Sequence, residues 1–564
     1  MLLFNTKTMK KKIIYSFLIL IAFTSLISCD KSDFLTPSNV PESPWTDVAT
    51  FERAARAPYN YFGNVGMGAP GWATAVGVPV FLDLASSDLG IINNKAFVNA
   101  PVIPYSNRTF RDMTIVPEDL GGGRQYSIFK NMYMMINACN DGLAFIKKVG
   151  TGEIFPGVLA ESTEIKRIKA EFLFNRARAY FILAQQFLPP YNPGGDNSSK
   201  KRIPFKTEFT ADVEKLRNTP LGSAEDVYTL IVSDLKEAKL NMPTTYSAEG
   251  RANIYAIRAE LVRVDFLIGK HLEAKLECDS ILNPGKFLLQ DTVLNAFNKA
   301  PGGVPASEVI MEFVPDATTK INNLEVSIVA RAFPWGVNGG RGASISFCGW
   351  TGFYMSNYFC KETGWMTDPA NGDYTPGPNA ATDKRLKYLF MRLEAYRKIN
   401  VGEDLITWKN TVNTQFKIAR PVIWLDKYFR GAVGDNTKEP LYRSAEIHLT
   451  RAALLTKLNL PDGNGYDLNK VRKRAGLPVL TRTSYTNDAW LEEIGRERMR
   501  EMGPESGDRI RYLMSLRQDI GLGDRPADGS QGAIVSPPYS NWYFRIPEEE
   551  ISSNAAYPPG FIQE

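Results

Sequence analysis

Four aromatic residues occur in stretches that could face a ligand. They are Trp72 in GAPGWATA, Trp335 in RAFPWGVNGG, and Trp350 with Tyr354 in FCGWTGFYMSNYF. Arg331, Asn338 and Arg341 lie close by in sequence. A flat ring can stack on the apolar C–H face of a sugar, and planar guanidinium and amide groups suit its hydroxyls. For any single tryptophan, packing in the core or between loops is the competing expectation. The chain carries 9 Trp, 24 Tyr and 31 Phe, enough for both uses.

Other chemistry finds little material. There are only two histidines, His271 and His448, so a His-rich metal site cannot be built. Both fall inside helical patterns, which leaves a Ser-His-Asp or Cys-His site few candidates. Cys139 and Cys278 sit in apolar helical stretches and read as buried thiols. Cys348 and Cys360 could pair in an exported protein, which sequence alone does not decide. GMGAPG fits GxGxxG at Gly66, Gly68 and Gly71, but it follows no strand and contains Pro70. PDGNGYD offers Asp462, Asn464 and Asp467 to a structural Ca2+. It lacks the distal Glu of an EF-hand loop, and a turn between two helices is the expectation. No other cofactor is expected. Glu548 to Glu550 are adjacent rather than opposed across a cleft, so a solvated acidic cluster is expected instead of a glycosidase pair. Arg472, Lys473, Arg474, Arg496, Arg498 and Arg500 interleave in part with Glu492, Glu493, Glu497 and Glu501, which predicts a charge-paired helical face.

The front of the chain carries an address. Lys7, Lys10, Lys11 and Lys12 precede an apolar run from Ile13 to Phe23, then the small-residue zone Thr24, Ser25 and Ser28. This is the layout of a secretory signal. It is shorter than the roughly 20 apolar residues a transmembrane helix needs. Met9 opens a more compact version of the same signal. Leu26-Ile27-Ser28-Cys29 resembles the lipobox of bacterial lipoproteins. That resemblance implies cleavage after residue 28 and lipidation of Cys29, with two or more acyl chains giving stable anchoring. The following DKSDF resembles a surface-export signal, and residues 29–45 read as a lipidated tether.

Formal net charge is +5 over 564 residues. Four of the 66 basic residues lie in 1–28, which leaves 62 against 61 acidic. No basic field remains for nucleic acid.

The elements that would position the aromatic stretches are helical. Ile254, Ile257, Leu261, Val264 and Ile268 recur at steps of three and four. Gly269-Lys270 breaks that helix, and a second follows with Ala274, Cys278 and Ile281 on one face. The two resemble a tetratricopeptide unit. Ser223 and Asp226 open another helix with a capping-box pattern that ends before Pro243. ESTEIKRIKAEFLFNRARAYFILAQQF reads as a long helix stopped by Pro189-Pro190, and LYRSAEIHLTRAALLTKLN with DLNKVRKRAG reads as a further pair. One unit cannot bury its apolar face alone, so several must stack. The expected fold is all-α: an α-α superhelix of tetratricopeptide-like pairs with long irregular aromatic-rich loops. Residues 60–125 and 300–380 are those loops. They exceed simple connections, and with Trp72, Trp335, Trp350 and Trp365 in them they are expected to be ordered.

Several pieces, in order, resemble the SusD/RagB family of outer-membrane lipoproteins. They are the lipobox, ARAYFILAQQF, VYTLIVSDLKEAKLNMP with GRANIYAIRAEL, LYRSAEIHLTRAALL with LNKVRKRAGLP, IGRERMREMGPES, and YFRIPEEEISSNAAYPPGF. Ala453 stands where the family usually has Glu, and Pro504 interrupts a helix that is commonly continuous. The resemblance implies a single domain over residues 46–564, with an N-terminal half at 46–245 and a C-terminal half at 246–564. It implies a lipid-anchored, surface-exposed protein of the outer membrane that is not an enzyme. Such a protein captures an oligosaccharide, or a peptide in the RagB manner, and passes it to a SusC-like TonB-dependent transporter. It also places Trp72 and Trp335 in variable, ligand-facing regions. An exported glycoside hydrolase on a helical scaffold is the other reading, disfavoured by the scarcity of His and the lack of a nucleophile motif.

Overall fold

The structure is a computed structural model. It describes residues 45–62, 90–92, 123–293, 296, 306–314, 353–367, 376–393, 422–425, 439–503, 505–521, 534–539 and 542–561. The chain divides into two units, residues 1–53 and 54–564. In the first unit the Asp47 carboxylate accepts from the Thr50 N–H at 2.7 Å, and the rings of Trp45 and Phe51 lie 5.2 Å apart. All that follows concerns the second.

Helices carry the second unit. In chain order they are α2 (Gly123–Gly150), α3 (Thr163–Phe187), α4 (Val213–Arg217), α5 (Ala224–Asn241), α6 (Ile254–Leu267) and α7 (His271–Leu282). These are followed by α8 (Asn357–Glu362), α9 (Lys384–Tyr388), α10 (Ser444–Lys457), α11 (Tyr466–Ala475), α12 (Asn487–Met502), α13 (Asp508–Ser515) and α14 (Glu548–Ser553), while α1 (Val48–Ala54) belongs to the first unit up to Arg53. Neighbours in sequence pack on one another: α2 on α3, α3 on α5, α5 on α6 and α6 on α7. Then α7 meets α10, and α10 meets α11 and α12. This is the stacked-pair architecture expected of the sequence.

Local signals set the helix ends. Ser223 caps α5 and the Asp226 carboxylate reaches back to the Ser223 N–H at 2.9 Å, a complete capping box. Ser162 caps α3, and Leu188 leaves it in an extended conformation just ahead of Pro189-Pro190. The α6–α7 turn needs Gly269 at φ 83°, a left-handed conformation that costs other residues energy. There the Lys270 N–H donates to the Asp265 carbonyl at 2.7 Å. Ile254, Ile257, Leu261, Val264 and Ile268 are all buried, as are Ala274, Cys278 and Ile281 opposite them. Each large side chain so buried contributes roughly 1.5–3 kcal/mol. Cys139 and Cys278 are free, buried thiols, and burial pushes both up in pKa.

The strands are short and form two-stranded antiparallel pairs. They are β1 (Gly90–Ile92) with β5 (Phe353–Met355), β2 (Ile203–Pro204) with β3 (Leu221–Gly222), and β4 (Val309–Phe313) with β8 (Glu439–Arg443). The others are β6 (Phe390–Leu393) with β7 (Val422–Leu425), and β9 (Ile520–Gly521) with β10 (Ile534–Val535). One boundary departs from the sequence reading. Leu441, Tyr442 and Arg443 were expected in a helix, but they complete β8, and α10 begins at Ser444. Pairing with β4 takes the backbone bonds that a longer helix would have used.

The C-terminal tail closes on the first helices. The Phe544 N–H donates to the Gln186 carbonyl, the Asn554 amide to the Thr219 carbonyl, and the Tyr557 hydroxyl to the Arg202 carbonyl. No helix of the described residues is long and apolar enough to cross a membrane.

Candidate ligand face and the framework beneath it

The two aromatic-rich segments enter the fold through a few anchored elements. The 3-10 helix Ala57–Tyr61 precedes the first segment. The Tyr59 hydroxyl donates to Glu171 on α3 at 2.9 Å and accepts from the Ala252 N–H at 2.9 Å, while Arg251 holds the same carboxylate at 2.6 Å. Burial, then the charge of Glu171, pushes the Tyr59 phenol well above its ordinary pKa, so it stays a donor. Within the first segment β1 pairs with β5, placing Gly90 opposite Met355, Ile91 opposite Tyr354 and Ile92 opposite Phe353. The pairing therefore joins the two segments at the strand that carries Tyr354. Strand β7 also packs against β5.

Of the residues expected to touch ligand, Tyr354 has its backbone in this strand pair, and Trp350 lies three positions before β5 in sequence. Trp72, Trp335, Trp350, Arg331, Asn338 and Arg341 lie outside the described residues, as do Cys29 and the tether before residue 45. Cys348 also lies outside them, and Cys360 is buried.

An aromatic cluster follows β5 in the chain. Ser356 directly follows the strand and caps α8, accepting from the Phe359 N–H at 2.9 Å. The Phe359 ring meets the Trp365 ring edge-on at 5.4 Å, and Trp365 meets Phe390, the first residue of β6, at 4.8 Å. Trp365, which sequence placed among the loop aromatics, is completely buried. Its indole N–H donates to Asp383 Oδ2 at 3.1 Å. Gly364, at φ 72°, makes the sharp exit from α8 that leads into Trp365.

Asp383 leads into a buried ionic network. Arg385 grips it with Nε at 2.8 Å and Nη2 at 3.0 Å, then donates through Nη1 to Glu497 at 2.7 Å and Glu501 at 3.2 Å. Glu497 also accepts from Arg472 at 3.0 Å and Arg500 at 2.9 Å. Arg443 forks onto Glu505 at 2.7 and 2.9 Å, reaches Glu501 at 3.1 Å, and pairs with Glu308. Arg474 pairs with both Glu308 and Glu501. The Arg500 Nε–H also donates to the Thr363 carbonyl at the end of α8, at 2.9 Å. Burial would raise Glu497, but Arg385, Arg500 and Arg472 together hold its carboxyl below the usual range. Burial opposes charge on Arg385 as well, and its carboxylates outweigh that and drive its pKa well up. Such groups pair in fixed geometry because an unpaired buried charge is very costly.

The basic segment is charge-paired as its sequence predicts, and Arg472, Arg474, Arg498 and Arg500 are buried. Arg496 alone of these arginines is only partly buried, bonding Glu493 at 2.6 Å and Glu362 at 3.0 Å. The final acidic cluster divides too: Glu548 and Glu549 are exposed, whereas Glu550 is partly buried and its carboxyl is raised, by burial first. The donors suggested for Ca2+ point to separate partners. Asp462 accepts from the Gly465 N–H, Asn464 from the Arg482 N–H, and Asp467 from Arg451 while facing His448 at 2.6 Å. Among the described residues no group of three or more His, Cys, Asp or Glu side chains is arranged to hold a metal ion.

Two comparisons place this architecture. Residues 111–266 match a family described as starch-binding and associating with the outer membrane, and residues 336–512 match the SusD family. Comparison with curated proteins gives no match. Among solved structures, a SusD superfamily protein from Bacteroides thetaiotaomicron is similar at 17% identity and a TM-score of 0.66. That match covers 90% of this chain and 98% of that one. A SusD-like carbohydrate binding protein from Bacteroides vulgatus is similar at 18% identity and a TM-score of 0.62, covering 91% and 97%. Another of that description from Bacteroides fragilis gives 18% and 0.62, covering 91% and 99%. These likenesses establish the fold over nearly the whole of each relative. The first family match takes in α2 to α5 and nearly all of α6, the second α8 to α12 and the start of α13; the two matches together span more than half of the chain, which belongs to the SusD/RagB family.

Proposed function

We propose that the protein is a cell-surface glycan-binding lipoprotein. It is held to the outer membrane by lipid on Cys29 and captures an oligosaccharide without turning it over. It then hands the oligosaccharide to a SusC-like TonB-dependent transporter. The observation that carries this reading is the β1–β5 pairing, which joins both aromatic-rich segments on a helical scaffold. The family description as starch-binding and the carbohydrate-binding relatives support the ligand class. Trp72, Trp335, Trp350 and Tyr354 supply stacking faces, and Arg331, Asn338 and Arg341 supply hydrogen bonds. Each contact is weak. The tether keeps the binder near the transporter mouth and raises effective concentration.

The test is calorimetry on residues 30–564 against a panel of neutral oligosaccharides and a panel of peptides, with Trp72→Ala and Trp335→Ala alongside. Saturable oligosaccharide binding that either substitution weakens is expected. Peptide binding alone would move the cargo to the RagB side, and product release would overturn the non-enzymatic reading. Normal uptake by cells carrying unlipidated Cys29→Ala protein would overturn the role of the tether.

A further inference from the structure

We propose that Trp365 is a positioning residue for the ligand face: its indole, held by Asp383, fixes strand β5 on the helical scaffold. This rests on the reading of that face given above. The indole touches two elements that lead to β5. Phe359 belongs to α8, which begins two residues after the strand ends. Phe390 opens β6, which pairs with β7, and β7 packs against β5. The Trp365 N–H and the Arg385 fork share the Asp383 carboxylate, and Arg385 ends on two glutamates of α12. A second strut from α12 runs through Arg500 to the Thr363 carbonyl, two residues before Trp365. The ring is completely buried, so it acts on ligand only through the strand it supports. A recognition strand is useful when its own rotamers and backbone are locked by such a supporting layer.

Trp365→Phe removes the N–H donor and keeps an aromatic ring, while Asp383 retains both bonds from Arg385. The scaffold should stay folded and β5 should loosen. Asp383→Asn is the second variant, and Asp234→Asn is the control. Asp234 pairs with Arg176 at 2.7 Å between α3 and α5, as buried as Asp383 but outside the Trp365 cluster. Hydrogen exchange is read first, without ligand. Amides of 353–355 and 422–425 should exchange about fivefold faster in Trp365→Phe, and those of α3 should not change. Asp234→Asn should show the opposite pattern. Unchanged exchange at 353–355, or a uniform rise throughout, would overturn the proposal.

The oligosaccharide panel is read second. Affinity should fall about 2- to 30-fold in Trp365→Phe and stay level in Asp234→Asn. If exchange at 353–355 rises but the wild type binds no oligosaccharide, the positioning role stands and the glycan reading falls. If Trp72→Ala weakens binding while Trp365→Phe changes neither exchange nor affinity, the glycan reading stands and the positioning role falls.

Discussion

The second helices of two stacked pairs, α7 and α11, solve one problem in opposite ways. Each must bury a face against the helix before it. α7 does so with Ala274, Cys278 and Ile281, and its one buried charge, Glu277, pairs with Lys239 and Arg258. α11 buries Leu468, Val471 and Ala475, but also Asp467, Arg472 and Arg474. An apolar face adheres to any apolar surface of similar shape. A buried arginine tolerates only the carboxylates that fit it. The α7 arrangement supplies adhesion. The α11 arrangement supplies register, because Arg474 fixes Glu308, 166 residues away, against Glu501 of α12.

The comparison breaks most sharply at Arg443. Arg443→Met leaves Glu308, Glu501 and Glu505 short of a buried cation, and about 3–5 kcal/mol of stability should be lost. Urea denaturation measures it, and a loss below that of an ordinary core truncation would show that the network is not what locks this region. Acid probes the same contrast. Burial disfavours the Glu446 carboxylate, yet Arg263, Arg511 and Arg498 hold its pKa down to about 2. A depressed folded pKa gives stability that is present above the ordinary value and lost as pH falls through the folded one. The region built on α10 to α13 should therefore loosen between about pH 4.5 and pH 2, as read by hydrogen exchange, while the aliphatic contacts of α6 and α7 do not titrate. On that aliphatic side, Leu261→Ala should cost about 2–4 kcal/mol through lost burial and a cavity, with no dependence on pH.

The same contrast explains what could be read in the sequence. The α6–α7 pair was legible because its apolar residues recur at helical spacing and Gly269 marks the turn. The α5 start was legible because Ser223 and Asp226 lie three residues apart. Those signals are local. The β1–β5 pair was not legible, since its three-residue strands find partners more than 250 positions away and carry too few residues for an alternation to register. The buried network was half legible. Charge alternation in α12 showed that its arginines are paired. It did not show that Glu497 and Glu501 point inward, which depends on Arg385 and Arg443 arriving from other elements. Trp365 was hidden for the same reason: in sequence it resembles Trp335 and Trp350, and its partner Asp383 lies 18 positions away.

The smallest effect tests a further buried charge within the α6–α7 pair. Asp265, near the end of α6, is buried, and its Oδ1 has no hydrogen-bond partner among the described residues. Burial, only partly offset by Lys270 and Lys236, raises its carboxyl to about 6. This is the reverse of Glu446, where arginines make direct contact. A raised folded pKa means that the contribution of Asp265 is full below the ordinary value of 3.8 and is lost as pH rises through about 6. Asp265→Asn removes the charge at nearly constant volume. It should stabilise the protein by about 1 kcal/mol at pH 7.5 and by nearly nothing at pH 4. Urea denaturation of the two proteins at both pH values decides it. An equal difference at pH 4 and pH 7.5 would mean that the effect comes from amide packing, and that α6 tolerates a lone buried carboxylate as readily as α10 tolerates one ringed by arginine.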